Sequence, residues 1–198
     1  MIQQVRDITT VSADWNLTPQ QRIDLYMACG KALSQENDNG HAFNVYFQAF
    51  KILNWQKAVK SDFKSSAEDM IFTALKSSHT VRIEEILLFD AIKDLKTSSK
   101  EIFQLLELTT QADIKKFNAD ISKFKALLDS HKLTAQEMLE KKQYLTICNI
   151  DLESKSTFTY SEFSELLGLK ADEIEEWTIN AIASDILDAK MDQIHQTI

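Results

Sequence analysis

One proline and three glycines in 198 residues leave this chain almost none of the turn chemistry that a multi-stranded sheet needs. Hairpin turns want Gly, Asn-Gly or Pro at fixed positions, and a sheet uses several of them. The apolar share of 44% is still enough for one substantial core or two small ones. The expected fold class is therefore all-α. No apolar run approaches the roughly 20 residues of a membrane-crossing helix. The start, MIQQVRDITT, lacks the charged and apolar regions of a signal peptide. Cys29 and Cys148 sit in apolar patterns, which reads as buried free thiols and fits a cytoplasmic setting.

Helix starts are written locally. Thr18-Pro19-Gln20-Gln21 offers a capping Thr, a Pro at the first helical position and a Gln three after the cap. Ser65 to Glu68, Thr134 to Glu137 and Thr159 to Glu162 have the same spacing of cap and third residue. Together with apolar periodicity, these predict helices near 2–12, 18–35, 40–53, 65–77, 83–93, 99–109, 111–129, 134–153, 159–167 and 172–186. The segment 40–53 is apolar over most of its circumference, with only Asn44, Gln48 and Lys51 as a polar stripe, so it belongs between neighbours. In 111–129, Ile114, Phe117, Ile121, Phe124 and Leu128 form one face against lysines and Asp120 on the rest. Helix length and spacing suggest antiparallel pairs stacked as a helical-repeat solenoid, although no repeat is visible in the sequence. The first helix arrives without a polar cap, which reads as a chain whose earlier helices are missing.

The last forty or so residues differ. Residues 157–198 hold two lysines and nine carboxylates, and so carry −7 of the chain's net −8. Ser156-Thr157-Phe158-Thr159 reads as one short bridge of strand. A helix follows, then a stop at Gly168 and a second helix from 172. Leu187 to Asp192 alternates apolar and polar residues and reads as a strand expected to pair near Phe158. A helix-turn-helix between two strands is a small winged-helix subdomain, all-α with a short β wing. Its second helix begins Asp172-Glu173-Ile174-Glu175-Glu176, which suits a helix dipole but presents phosphates with the wrong sign. Direct nucleic-acid binding is not expected there. The lysines of 111–129, namely Lys115, Lys116, Lys123 and Lys125, are the better candidates for a weak RNA contact, against a default role of solvating the helix.

No catalytic constellation stands out. His41, His79, His131 and His195 lack metal-ligand spacing, and neither a Cys-x-x-Cys pair, a Gly-rich phosphate loop nor a Gly-x-Ser-x-Gly elbow occurs. The expectation is a non-enzyme with no catalytic residue, metal or cofactor.

The end of the chain resembles a known family. Ile174-Glu175-Glu176-Trp177-Thr178-Ile179-Asn180-Ala181-Ile182, followed by Ile186-Leu187-Asp188-Ala189-Lys190-Met191-Asp192-Gln193, is similar to the signature end of a PCI domain. That family supplies scaffold subunits to the proteasome lid, the signalosome and translation initiation factor 3. Asp14-Trp15-Asn16-Leu17-Thr18, Leu88-Phe89-Asp90 with Leu95, and the stretch from Glu137-Met138 to Tyr144-Leu145-Thr146 resemble segments of its initiation-factor branch. The resemblance implies a solenoid over 1–153 and a winged helix over 154–198 with a truncated wing, together one PCI domain. It also implies a non-catalytic, cytoplasmic scaffold that assembles with other PCI and MPN subunits. Its implied role is to support recruitment of mRNA and initiator tRNA to the small ribosomal subunit. Alternatives are a signalosome or proteasome-lid scaffold, and a nucleic-acid-binding winged-helix protein. The resemblance implies assembly through the wing, and the candidate protein-interaction residues there are Asp188, Lys190, Asp192, Gln193 and Ile194.

Overall fold

The computed structural model describes residues 5–56, 63–77, 80, 83–150, 155 and 157–198. Its regular elements are helical: α1 (Ile8–Val11), α2 (Pro19–Gln35), α3 (Asn39–Gln56), α4 (Lys64–Lys76), α5 (Ile83–Ile86), α6 (Asp90–Ser98), α7 (Lys100–Gln111), α8 (Ile114–Asp120), α9 (Lys125–Ser130), α10 (Ala135–Cys148), α11 (Tyr160–Leu167) and α12 (Ile174–Ala183). A 3-10 turn, Ile121–Phe124, joins α8 to α9. Among the described residues there is no named strand, only isolated bridges, so the all-α expectation holds. The chain divides into two compact units, Met1–Glu107 and Leu108–Ile198.

In the first unit α3 is the axis, as its composition requires. Ala42, Val45 and Ala49 pack with Tyr26 and Leu33 of α2. Phe47 and Phe50 meet Phe89 at 5.3 and 6.2 Å between ring centroids. Asn44, Gln48 and Lys51 are exposed, leaving the narrow polar stripe that the sequence predicts. Close approach of α2 to α3 depends on Gly30, where a Cβ would lie 2.9 Å from the Tyr46 ring. The helix expected over 83–93 is broken: Phe89 is extended (φ −73°, ψ 133°), α5 ends before it and α6 starts after it. The aromatic contacts of Phe89 account for the break, since burying that ring outweighs one more helical turn.

Three of the four capping boxes form. The side chains of Thr18, Thr134 and Thr159 each accept from the third backbone N–H, and Gln21, Glu137 and Glu162 accept from the cap in return. The box at Ser65 does not. There α4 begins at Lys64 with no side-chain cap, and the Glu68 carboxylate accepts from the Ser99 hydroxyl instead. Helix ends resolve the shortage of glycine. Asn37, Lys132, Asp185 and Gly168 all have left-handed φ (60°, 56°, 54° and 63°). In each case the next residue's N–H returns to the carbonyl five positions earlier. Among the described residues a Schellman ending is thus carried by glycine once and by other residues three times.

In the second unit the apolar stripe of 111–129 is buried at Ile114, Phe117, Ile121 and Leu128, as expected, but the helix is interrupted by the 3-10 turn. The helix expected over 134–153 runs over 135–148; residues 151–154 lie outside the described residues, as do Met1–Gln4 and Ser156. Cys29 is half-buried and Cys148 exposed, and both are free. The burial expected for Cys148 fails because it sits on the outer face of the last turn of α10.

Candidate docking surface of the C-terminal unit

In the second unit polar side chains tie the elements together around an apolar core. Ile147, Tyr160, Phe163, Leu167 and Ile174 form that core, and Leu187, Trp177 and Ile198 pack against it. On α10 three consecutive polar residues, Lys141, Lys142 and Gln143, are 3%, 4% and 2% exposed. Three successive positions cover about 200° of a helix, so α10 is buried over much of its circumference. Gln143 uses both ends of its amide. Its Nε2 donates to the Leu167 carbonyl at the end of α11 (3.1 Å). Its Oε1 accepts from Trp177 Nε1 on α12 (2.9 Å). One buried side chain therefore fixes the helix-turn-helix against the helix before it. The Gly168 ending completes the turn, with Leu169 folded back onto the core.

A second tie joins α11, α12 and the tail. Tyr160 Oη donates to Glu175 Oε1 (3.3 Å), and Gln193 Nε2 donates to Glu175 Oε2 (3.2 Å). At the start of α11 the Glu162 carboxylate accepts from Lys155 Nζ and from the Thr159 N–H, which hold its pKa down to about 2.

The strand expected over 187–192 does not form. Residues 187–191 are irregular, and Asp192 alone is bridged, to Thr197. Phe158 pairs instead with Ile198, by N–H to carbonyl bonds of 2.9 and 2.8 Å, and Tyr160 N–H reaches the Gln196 carbonyl (2.9 Å). Thr197 is thus bridged on both sides, to Thr159 and to Asp192. The physical reason lies in Asp192. Its carboxylate accepts from the N–H groups of Ile194 and His195 and from His195 Nδ1, which turns the chain back on itself. Residues 196–198 then supply the pairing partner that the sequence reading assigned to 187–192.

Residues 121–198 match the model of the PCI domain. That match covers 78 of the 198 residues, at the C-terminal end. The proteins similar to it over most of its length include eukaryotic translation initiation factor 3 subunit M of Dictyostelium discoideum, 25% identical over 207 residues, covering 98% of this chain and 49% of that protein. The Nematostella vectensis subunit M is 23% identical over 184 residues (93% and 47%), and that of Coccidioides immitis 22% over 185 (92% and 40%). The chain spans about half the length of the curated relatives it matches.

Within the matched segment, Asp188, Lys190, Gln193 and Ile194 are exposed, Ile194 by 90%. Asp192 is exposed as well, but its carboxylate is committed to the turn. Lys115, Lys116, Lys123 and Lys125 are all exposed; the first two precede the matched segment, and Lys123 pairs with Asp120. Sequence reasoning missed Gln143 and the Glu175 tie. A glutamine between two lysines and a tyrosine carries no mark of burial, and the four partners of Gln143 and Glu175 lie 15 to 34 positions away. Among the described residues no helix is long and apolar enough to cross a membrane.

Proposed function

We propose that this chain is a non-catalytic scaffold subunit of a translation initiation factor 3 complex. In this reading residues 1–153 act as a helical solenoid and 154–198 as the winged helix of one PCI domain, and the subunit works in the cytoplasm. It assembles with other PCI and MPN subunits and so supports recruitment of mRNA and initiator tRNA to the small ribosomal subunit. The observation that carries the reading is coverage: matches to initiation factor 3 subunit M run across more than nine tenths of the chain, well beyond the PCI segment. The rigid fixing of the winged helix by Gln143 suits a part whose task is to present a surface. The contact residues proposed at the wing are Asp188, Lys190, Gln193 and Ile194, with Asp192 shaping the turn that displays them. Lys115, Lys116, Lys123 and Lys125 are proposed as a secondary, weak contact to RNA, which should lose affinity steeply with added salt.

Affinity capture from a eukaryotic lysate, with this chain as bait and mass spectrometry as readout, tests the assignment. Enrichment of initiation factor 3 subunits and small-subunit ribosomal proteins is the expected outcome. Enrichment of signalosome or proteasome-lid subunits instead would move the chain to another branch of the family.

A further inference from the structure

The second helix of the winged helix presents an unusual outer face. On α12, Ile174, Thr178 and Ala181 are buried, while Glu176, Ile179, Asn180 and Ala183 are exposed. Ile179 is 53% exposed, in the middle of a helix whose other large apolar residues turn inward. Glu176 lies three positions before it and Glu175 four before it, so both are neighbours of Ile179 on the helix surface. The Glu175–Gln193 hydrogen bond brings the turn of the tail to the same place. Ile194, next to Gln193 and 90% exposed, is therefore carried by the same turn that the Glu175–Gln193 pair ties to α12. The two exposed isoleucines are thus linked through that polar pair, and the Glu176 carboxylate lies at the rim beside Ile179.

The charge of the surroundings selects the occupant. Residues 157–198 carry net −7, with Lys170 and Lys190 as their only lysines and no arginine. A phosphate backbone or an acidic peptide is repelled. A purely apolar partner would bury carboxylates without counter-charges. What fits is a cationic amphipathic segment, with apolar side chains over Ile179 and Ile194 and Lys or Arg toward the rim. The geometry points to this face, between α12 and the turn at 193–195, as the docking site for a basic amphipathic helix of a partner protein. The inference rests on the docking role proposed above and names the chemistry of one partner segment.

The test uses the whole chain and two synthetic helical peptides of equal length. One has leucine at apolar and lysine at polar positions, and the other replaces every lysine with glutamate. Fluorescence anisotropy at two salt concentrations reads binding, and amide chemical-shift mapping reads its place. The lysine peptide should bind and the glutamate peptide should not. Shifts should centre on Glu176, Ile179 and Ile194. Ile179→Gln and Ile194→Gln, which leave charge unchanged, should each weaken binding about fivefold or more, with the circular dichroism of the free protein unaltered. Absence of binding by the lysine peptide overturns the proposal. So does binding that both glutamine variants leave untouched, because it would then be diffuse attraction to an acidic surface. Capture of initiation factor 3 subunits by the Ile179→Gln, Ile194→Gln double variant separates the two readings. Capture retained while peptide binding never depended on the isoleucines removes this site and leaves the scaffold assignment standing. Peptide binding at the site with capture of another complex does the reverse.

Discussion

Trp177 Nε1 donates to Gln143 Oε1 at 2.9 Å across 34 positions of sequence, inside a side-chain environment where Gln143 is 2% exposed. The same amide donates to the Leu167 carbonyl. A buried glutamine with both amide ends satisfied costs little to keep and much to half-break.

Trp177→Phe should therefore lower unfolding free energy by about 1–3 kcal/mol, because it strands the Gln143 oxygen. Gln143→Met should do the same by stranding the indole N–H and a backbone carbonyl. The double variant should lose clearly less than the sum of the two. Urea melts of the four proteins form the cycle, and strict additivity would show that the contact is not energetically coupled.

Gly30→Ala should go against helix propensity. Alanine in place of glycine within a helix is usually worth about 0.8–1 kcal/mol of added stability. Here the new methyl would sit 2.9 Å from the Tyr46 ring carbons, closer than atoms pack, and overpacking costs about 1–3 kcal/mol. Net destabilisation is expected by thermal melting. A Tyr46→Leu background, which removes the ring, should restore a gain.

The three formed capping boxes and the absent one make an internal control. Thr134→Ala and Thr159→Ala should each cost about 1 kcal/mol, and Ser65→Ala close to nothing. Ser99→Ala should cost more than Ser65→Ala, since the Ser99 hydroxyl donates to Glu68. Equal losses at Ser65 and Thr134 in denaturant titrations would contradict the start of α4 at Lys64.

Lys141 gives the chain a pH signature. Burial pulls its pKa from 10.5 down to about 7, partly opposed by the nearby Cys148. Below about pH 7 the amine is charged in both folded and unfolded states, and the cost of burying that charge is fully present. Between about 7 and 10.5 the unfolded chain holds a proton that the folded one has lost, so this group adds stability as pH rises. Melting temperatures of wild type and Lys141→Met should converge as pH rises from 7 to 9, with the variant the more stable at pH 7. A difference constant with pH would show that Lys141 does not titrate in that window.

The parts legible in the sequence were those written locally. Thr18, Thr134 and Thr159 announce their helices because cap and partner are three residues apart. The polar stripe of α3 reads correctly because its period is the helix's own. Ser65 misled because Glu68 has a partner 31 positions away. The ends of α2 and α9 fall within one residue of those expected, but the left-handed caps at Asn37, Lys132 and Asp185 carry no glycine to mark them, and α12 stops three residues before the expected end. The alternation of 187–192 is real, but whether a period-two run becomes a strand depends on an available edge. The Asp192 turn gave that edge to residues 196–198. At the surface, Ile194 was legible as a candidate; Ile179 was not, because its exposure follows from which side of α12 packs on the core.

The paired hydrogen bonds between Phe158 and Ile198 join residues 40 positions apart, whereas the backbone bonds within α11 and α12 are local. Helices and turn can form as soon as their own residues are present, but the ladder must wait until the two ends of the winged helix meet. The turn at 193–195 is local, but its seat against α12 needs the Glu175–Gln193 bond, so the surface between them is complete only when the two ends of this segment have met.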